Sequence, residues 1–204
     1  MAPKPVPNTV QVDMLFLLYG QRVEMVWHAS APGGVDAVTL SDAEAAFAGW
    51  AAGTLMPLLG NEISFIGLEV TNISIPNGGK RSFQQSPPVA GGQSSLCEPG
   101  NVAFSVSLRT AQIGRAYRGR KFIPGVPVSQ RSGNQVQAGW ATALVQAVND
   151  LIAGVQAVNM LLVVVSRFLD NVERLVPVAT PVISVTTTDL NIDSQRRRLT
   201  GRGT

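Results

Sequence analysis

The stretch that decides the fold lies near the start of the chain, where residues 9–28 read TVQVDMLFLLYGQRVEMVWH. Apolar residues take alternate positions before Tyr19-Gly20 and again after it, and many of the positions between them are polar. A period of two carried by β-branched and aromatic residues is typical of strands that bury one face. The stretch therefore predicts a β-hairpin.

Two further segments have the spacing of amphipathic helices. In the first, Ser41 and Glu44 are spaced as a capping box, and Pro57 and Gly60 close the helix. The second spans residues 134–158. In both segments the apolar residues form one stripe that would pack on a sheet. The first stripe consists of Phe47, Trp50, Ala51, Thr54, Leu55 and Leu58, and the second of Trp140, Leu144, Val148, Leu151, Ile152 and Val155.

The remaining segments predict further strands. Residues 76–100, rich in Pro, Gly, Ser and Gln, are predicted as a long loop, and an arm to a neighbouring subunit is one function for such a loop. The pattern predicts one α+β domain, a mostly antiparallel sheet or sandwich with two amphipathic helices, for which a jelly roll is one topology. The predicted strands cover 62–75, 102–108, 115–123, 160–165 and 181–190. The predicted parts are a proline-rich N-terminal arm at 1–8, the domain at 9–192 and an arginine-rich tail at 193–204.

Composition favours a protein that associates with copies of itself. Charged residues make up 14% of the chain, against roughly 25% in ordinary globular domains. A protein that hides surface against partners needs fewer charges, although a monomer with an uncharged polar surface fits the same numbers. We expect no signal peptide and no membrane span, because residues 1–8 lack an apolar segment and no apolar run is long enough.

Candidates for catalysis are few. The single histidine, His28, lies at a predicted strand end and cannot by itself supply a site of several His or Cys ligands. The single cysteine, Cys97, is predicted to be a loop thiol whose exposure would allow oxidation. No nucleophile elbow or phosphate-binding loop accompanies them. We therefore expect no catalytic, cofactor-binding or metal-binding residues, no cofactor, and no enzymatic activity.

Basic residues form the most distinctive cluster. Between Pro99 and Asn149 there is no acidic residue. On a strand, Arg118 and Arg120 would share one face, and Arg115, Tyr117 and Lys121 the other. A second basic group closes the chain. The candidate interface or nucleic-acid-binding residues are Arg109, Arg115, Tyr117, Arg118, Arg120, Lys121, Arg196, Arg197, Arg198 and Arg202.

Three interpretations of these residues remain open. They would bind nucleic-acid phosphates, with Tyr117 stacking on a base. Alternatively, arginine suits planar ion pairs with carboxylates of neighbouring subunits. In the third interpretation they are a solvated surface.

Two stretches carry a family resemblance. The first is Ser107-Leu108-Arg109-Thr110 followed by Gly114-Arg115-Ala116-Tyr117-Arg118-Gly119-Arg120-Lys121-Phe122-Ile123-Pro124-Gly125. The second is Asp193-Ser194-Gln195-Arg196-Arg197-Arg198-Leu199, followed by Gly201-Arg202-Gly203. Together they resemble motifs of small virion structural, capsid-like proteins of environmental viruses. One departure is Thr200, where the motif leads us to expect proline.

The resemblance implies a coat protein that self-assembles in the virion after synthesis in the host cytoplasm. Its partners would be copies of itself, viral nucleic acid and other virion proteins, with the arginine strand and tail at interfaces or facing the genome. A phage connector, tail or decoration protein would have the same need for self-complementary surfaces and is a second hypothesis. A nucleic-acid-binding regulator is a third hypothesis, and an enzyme of unrecognised type is a fourth.

Overall fold

The predicted hairpin forms in the computed structural model, which describes residues 8–97, 103–112, 115–132, 135–167, 173–177 and 182–188. Its strands are β1 (Thr9–Leu18) and β2 (Gln21–Ser30), which pair in register along their whole length. Tyr19 and Gly20 make the turn with φ of 50° and 74°. Two turn residues with positive φ match the twist of the strands that they join.

The hairpin lies at the centre of a six-stranded sheet with strand order β10-β9-β2-β1-β3-β4. Every pair of neighbouring strands in it is antiparallel. A second sheet has the order β11-β5-β6, and β7 pairs with β8. The predicted α+β class with a mostly antiparallel sheet and two helices is confirmed. The other elements are α1 (Ala37–Trp50), β3 (Ile63–Asn72), β4 (Lys80–Ala90), β5 (Ala103–Gln112), β6 (Arg115–Ile123), β7 (Arg131–Ser132), β8 (Gln135–Val136), α2 (Ala138–Ala157), β9 (Leu161–Arg167), β10 (Glu173–Pro177) and β11 (Val182–Thr188).

The two helices and the sheet share one core. Trp27 of β2 packs edge-on against Trp50 of α1, with ring centroids 5.7 Å apart. The indole Nε1 of Trp50 donates to the carbonyl oxygen of Ala147 at 2.6 Å and so ties α1 to α2. The predicted stripe of α2 is buried throughout. The apolar residues Val10, Val12, Met14 and Phe16 of β1 alternate along the strand and are buried, as the pattern predicts.

The predicted start of the first helix is wrong. Helix α1 begins at Ala37, and its N-cap is Asp36, whose side chain accepts a hydrogen bond from the backbone N–H of Thr39 at 2.8 Å. Ser41 and Glu44 have the spacing of a capping box but lie inside the helix. Asp36 and Thr39 offer the same reciprocal pattern five residues earlier, so the helix starts there. It continues through a π-helical turn, Ala51–Leu55, and a 3₁₀ turn, Met56–Leu58.

The prediction of one long loop at 76–100 is also wrong, because β4 (Lys80–Ala90) runs through it and pairs with β3. As the last strand of the sheet, β4 is mostly exposed. Such a strand lacks the apolar alternation that marks a half-buried one. An edge also tolerates proline, and Pro87 and Pro88 lie within β4.

The strand order of the described residues does not correspond to the jelly-roll variant of the prediction. A jelly roll has eight strands in two Greek keys, whereas the described sheets have six, three and two strands. The predicted arm at 1–8 lies outside the described residues except for Asn8, and so does the tail at 193–204. Helix α2 packs against β9 and β11, and β6 lies beside β9, which places the three-stranded sheet next to the core.

Candidate assembly and anion-binding surfaces

The arginine-rich strand forms as predicted, with the bounds Arg115–Ile123. It pairs with β5, and the sequence analysis did not predict the register of this pairing. In this register Arg118 is the partner of Arg109, and Arg120 is the partner of Ser107. Directly opposed residues of an antiparallel pair have Cβ atoms about 4.5–5.5 Å apart. The fold thus places Arg109, Arg118 and Arg120 together on one face of the three-stranded sheet.

We call this face the arginine face, and its other positions are small or hydroxyl-bearing for the most part. The partners of β5 on β11 continue it, with Ser184 opposite Ser107 and Thr186 opposite Ser105. No aspartate or glutamate occurs in the described strands β5, β6 and β11. Its members are Ser105, Ser107, Arg109 and Ala111 on β5, Ala116, Arg118, Arg120 and Phe122 on β6, and Val182, Ser184, Thr186 and Thr188 on β11.

The remaining basic candidates of the strand lie on the opposite face. Arg115, Tyr117 and Lys121 alternate with the arginine face and are the register partners of Gln112, Thr110 and Val106. The same alternation ends at Ile123, which is fully buried in the core. The register therefore places Tyr117 on the face of β6 opposite Arg118 and Arg120, as the alternation predicts.

The candidates Arg196, Arg197, Arg198 and Arg202 lie outside the described residues. The role expected for the tail stays a prediction from the sequence alone.

A second charged face was not predicted. On β1, Asp13 is the register partner of Glu69 on β3, so two carboxylates oppose each other directly. Asp13 accepts from the amide Nε2 of Gln11 at 2.9 and 3.0 Å, and Glu69 pairs with Lys80 at 2.6 Å. Like charges in such positions destabilise a sheet, and an exposed pair such as Lys80–Glu69 offsets little of that.

This carboxylate face is the side of β1–β4 opposite the helices. Its half-buried apolar residues are Leu15, Leu17, Val26 and Ile66. Its charged residues are Asp13, Glu24 and Glu69 against Arg22 and Lys80, of which Arg22 and Glu24 form a 3.1 Å ion pair. The face combines a net negative charge with an apolar centre, which suits a cationic partner that also covers apolar surface.

The two residues weighed for catalysis, His28 and Cys97, are both removed from full exposure to solvent. His28 is half-buried on the carboxylate face, opposite Gln11 of β1. Cys97 is buried, 1% exposed, which corrects the expectation of an exposed loop thiol. Burial is the main reason why the pKa of the Cys97 thiol is raised, and the Tyr19 hydroxyl donates to the Cys97 carbonyl oxygen. The described part of the chain holds no cluster of three or more His, Cys, Asp or Glu that could bind a metal ion.

Comparison with protein-family models, curated proteins and solved structures finds no match to this chain. Within the described residues, no helix combines the length and apolarity that a membrane crossing requires.

The sequence contains different amounts of information about the arginine face and the carboxylate face. β5 and β6 are neighbours in sequence, so a hairpin register that pairs Gln112 with Arg115 would have placed Arg109 opposite Arg118. The opposition of Asp13 and Glu69 depends on β1 pairing with a strand that follows after α1. Local patterning carries no information on that pairing.

Proposed function

We propose that this chain is a structural protein of a virus particle, its coat protein, which self-assembles and uses arginine-rich elements at subunit interfaces or towards the genome. The observation that carries the proposal is the register pair Arg109–Arg118, with Arg120 beside it, on strands that contain no acid. Adjacent guanidinium groups repel each other, and an anionic partner removes that repulsion. Carboxylates of a neighbouring subunit and phosphates of nucleic acid both supply such a partner.

Composition supports the same proposal. Only 14% of the residues are charged. The fold nevertheless places like charges opposite each other on two separate faces, and such faces suit the binding of partners that carry the opposite charge. The resemblance of the arginine strand and the tail to virion structural proteins supports the viral part of the proposal.

A nucleic-acid-binding regulator is the second candidate, and the arginine face favours it. Three arginine positions among serine and threonine positions match the residue types that contact phosphate oxygens without reading base sequence. A regulator would form a small oligomer of fixed size, whereas a coat protein forms large particles.

The deciding experiment is the mass of the purified protein by light scattering, with the ultraviolet 260/280 absorbance ratio read on the same peak. A coat protein gives a mass of many subunits, and a high ratio shows enclosed nucleic acid. Large particles without nucleic acid would favour an empty shell, a connector or a tail tube. A small oligomer of fixed size would favour the regulator, and a stable monomer of 21.6 kDa at every concentration would contradict the proposal.

A further inference from the structure

The fold contains two like-charge pairs of opposite sign with the same geometry. Arg109 and Arg118 are direct register partners across β5 and β6, and Asp13 and Glu69 are direct register partners across β1 and β3. Both pairs span two adjacent antiparallel strands, so both have the same spacing of about 4.5–5.5 Å between Cβ atoms. Two arginine positions at this spacing match two carboxylate positions at the same spacing.

In the described strands, each pair also has little opposite charge beside it. The strands around Arg109 and Arg118 contain no carboxylate. On the other face, Asp13 accepts from a neutral amide, and the Lys80 side chain that meets Glu69 is 54% exposed. A neighbour that brought opposite charge would relieve the repulsion in both pairs at once.

We propose that the arginine face of one subunit docks on the carboxylate face of a second copy of this chain, with Arg109 and Arg118 meeting Asp13 and Glu69. The inference rests on the self-assembly proposed above and names the surfaces that perform it. Guanidinium and carboxylate groups make paired, charge-assisted hydrogen bonds. The half-buried Leu15, Val26 and Ile66 beside the carboxylates add apolar area that the contact removes from water.

The proposed contact joins two different surfaces, so it is head-to-tail. A pair of bound subunits then still presents one free face of each kind. Such contacts generate closed rings when the rotation between subunits closes and open arrays when it does not. This geometry accounts for growth beyond a dimer, which a shell or a tube requires.

The test is charge reversal with rescue. One variant carries Asp13→Arg and Glu69→Arg, and the other carries Arg109→Glu and Arg118→Glu. Each variant alone presents two faces of the same sign, and we expect it to remain at 21.6 kDa in light scattering. An equimolar mixture restores opposite faces at every junction, and we expect it to recover the assembled mass, as should the chain with all four changes.

The matched control is Asp42→Arg with Asp150→Arg, which makes the same change in charge on α1 and α2. This control should assemble as the wild type does. Circular dichroism establishes that each variant is folded. Should a reversal prevent folding, Asp13→Asn with Glu69→Gln removes the charges at nearly constant volume and should also lose assembly.

The outcomes distinguish a failure of the proposed contact between faces from a failure of the proposed self-assembly. A wild-type chain that stays monomeric contradicts the proposed function itself. A wild type that assembles, with reversed variants that assemble equally well or a mixture that fails to recover, overturns the inference alone. If the arginine-reversed variant assembles normally but loses a single-stranded oligonucleotide that the wild type binds, the arginine face contacts nucleic acid and the inference is wrong.

Discussion

Gly67 in β3 is a position at which the sheet tolerates little change. Its φ is +150°, and a Cβ there would overlap the backbone carbonyl oxygen of Phe83 and lie 3.2 Å from the Cα of Gln84. Strain of about 1–3 kcal/mol in this glycine-only region adds to about 1–3 kcal/mol for forcing atoms into a packed site. Gly67→Ala should therefore lower the free energy of unfolding by about 2–6 kcal/mol. Both neighbours are backbone of β4, so the strand itself must move.

Denaturant unfolding at one fixed protein concentration measures the change, because assembly makes stability depend on concentration. Hydrogen exchange should show amide protection lost first in β4, while β1 and β2 keep theirs. The matched control is Gly154→Ala in α2, where an added Cβ meets no atom within 4 Å. Helix propensity predicts a gain of roughly 0.5–1 kcal/mol there. Equal stabilities of Gly67→Ala and wild type would refute the reasoning.

Three other perturbations test the core and the cap. Trp50→Phe removes the hydrogen bond to Ala147 and should cost about 1–3 kcal/mol in denaturant unfolding. The buried Cys97 thiol should react with a disulfide reagent only as fast as the fold opens. Because the pKa of this thiol is raised, the free energy of unfolding should fall as pH rises above the pKa of the unfolded thiol. Cys97→Ala should remove this dependence of stability on pH. Backbone hydrogen bonding lowers the pKa of Asp36. The stability that this helix cap contributes should therefore be lost as the pH falls through the pKa of the folded carboxylate. In thermal unfolding, the stability of Asp36→Asn should depend less on pH.

Local patterns predicted most elements, and the reasons are visible in particular residues. The strand Arg115–Ile123 and the stripe of α2 follow from alternation and helical spacing alone. β4 and β10 (Glu173–Pro177) escaped prediction because each forms an edge of the six-stranded sheet. An edge strand makes few demands on its side chains, so its sequence looks like a loop.

The candidate site was only half predictable for a related reason. The basic residue types were evident, and alternation alone separated Arg118 and Arg120 from Tyr117, but the position of Arg109 opposite Arg118 needed a register. The carboxylate face needed more, since Asp13 and Glu69 are brought together by a strand pairing across α1. Which charged residues of distant segments lie opposite each other depends on the topology of the sheet, and local sequence patterns do not encode it.

The two ways by which this fold could associate are not equally open. The edge strand β4 is interrupted, because its register with β3 passes from Gln84 to Val89 while β3 advances only from Gly67 to Phe65. The intervening residues include Pro87 and Pro88, which have no N–H to donate to an added strand. A proline-bearing bulge is a common means of preventing strands from adding at an edge. Strand addition is therefore disfavoured at the β4 edge of the six-stranded sheet, whereas nothing of this kind interrupts the two charged faces within the described residues. This difference favours the association by faces proposed above over the addition of strands at β4.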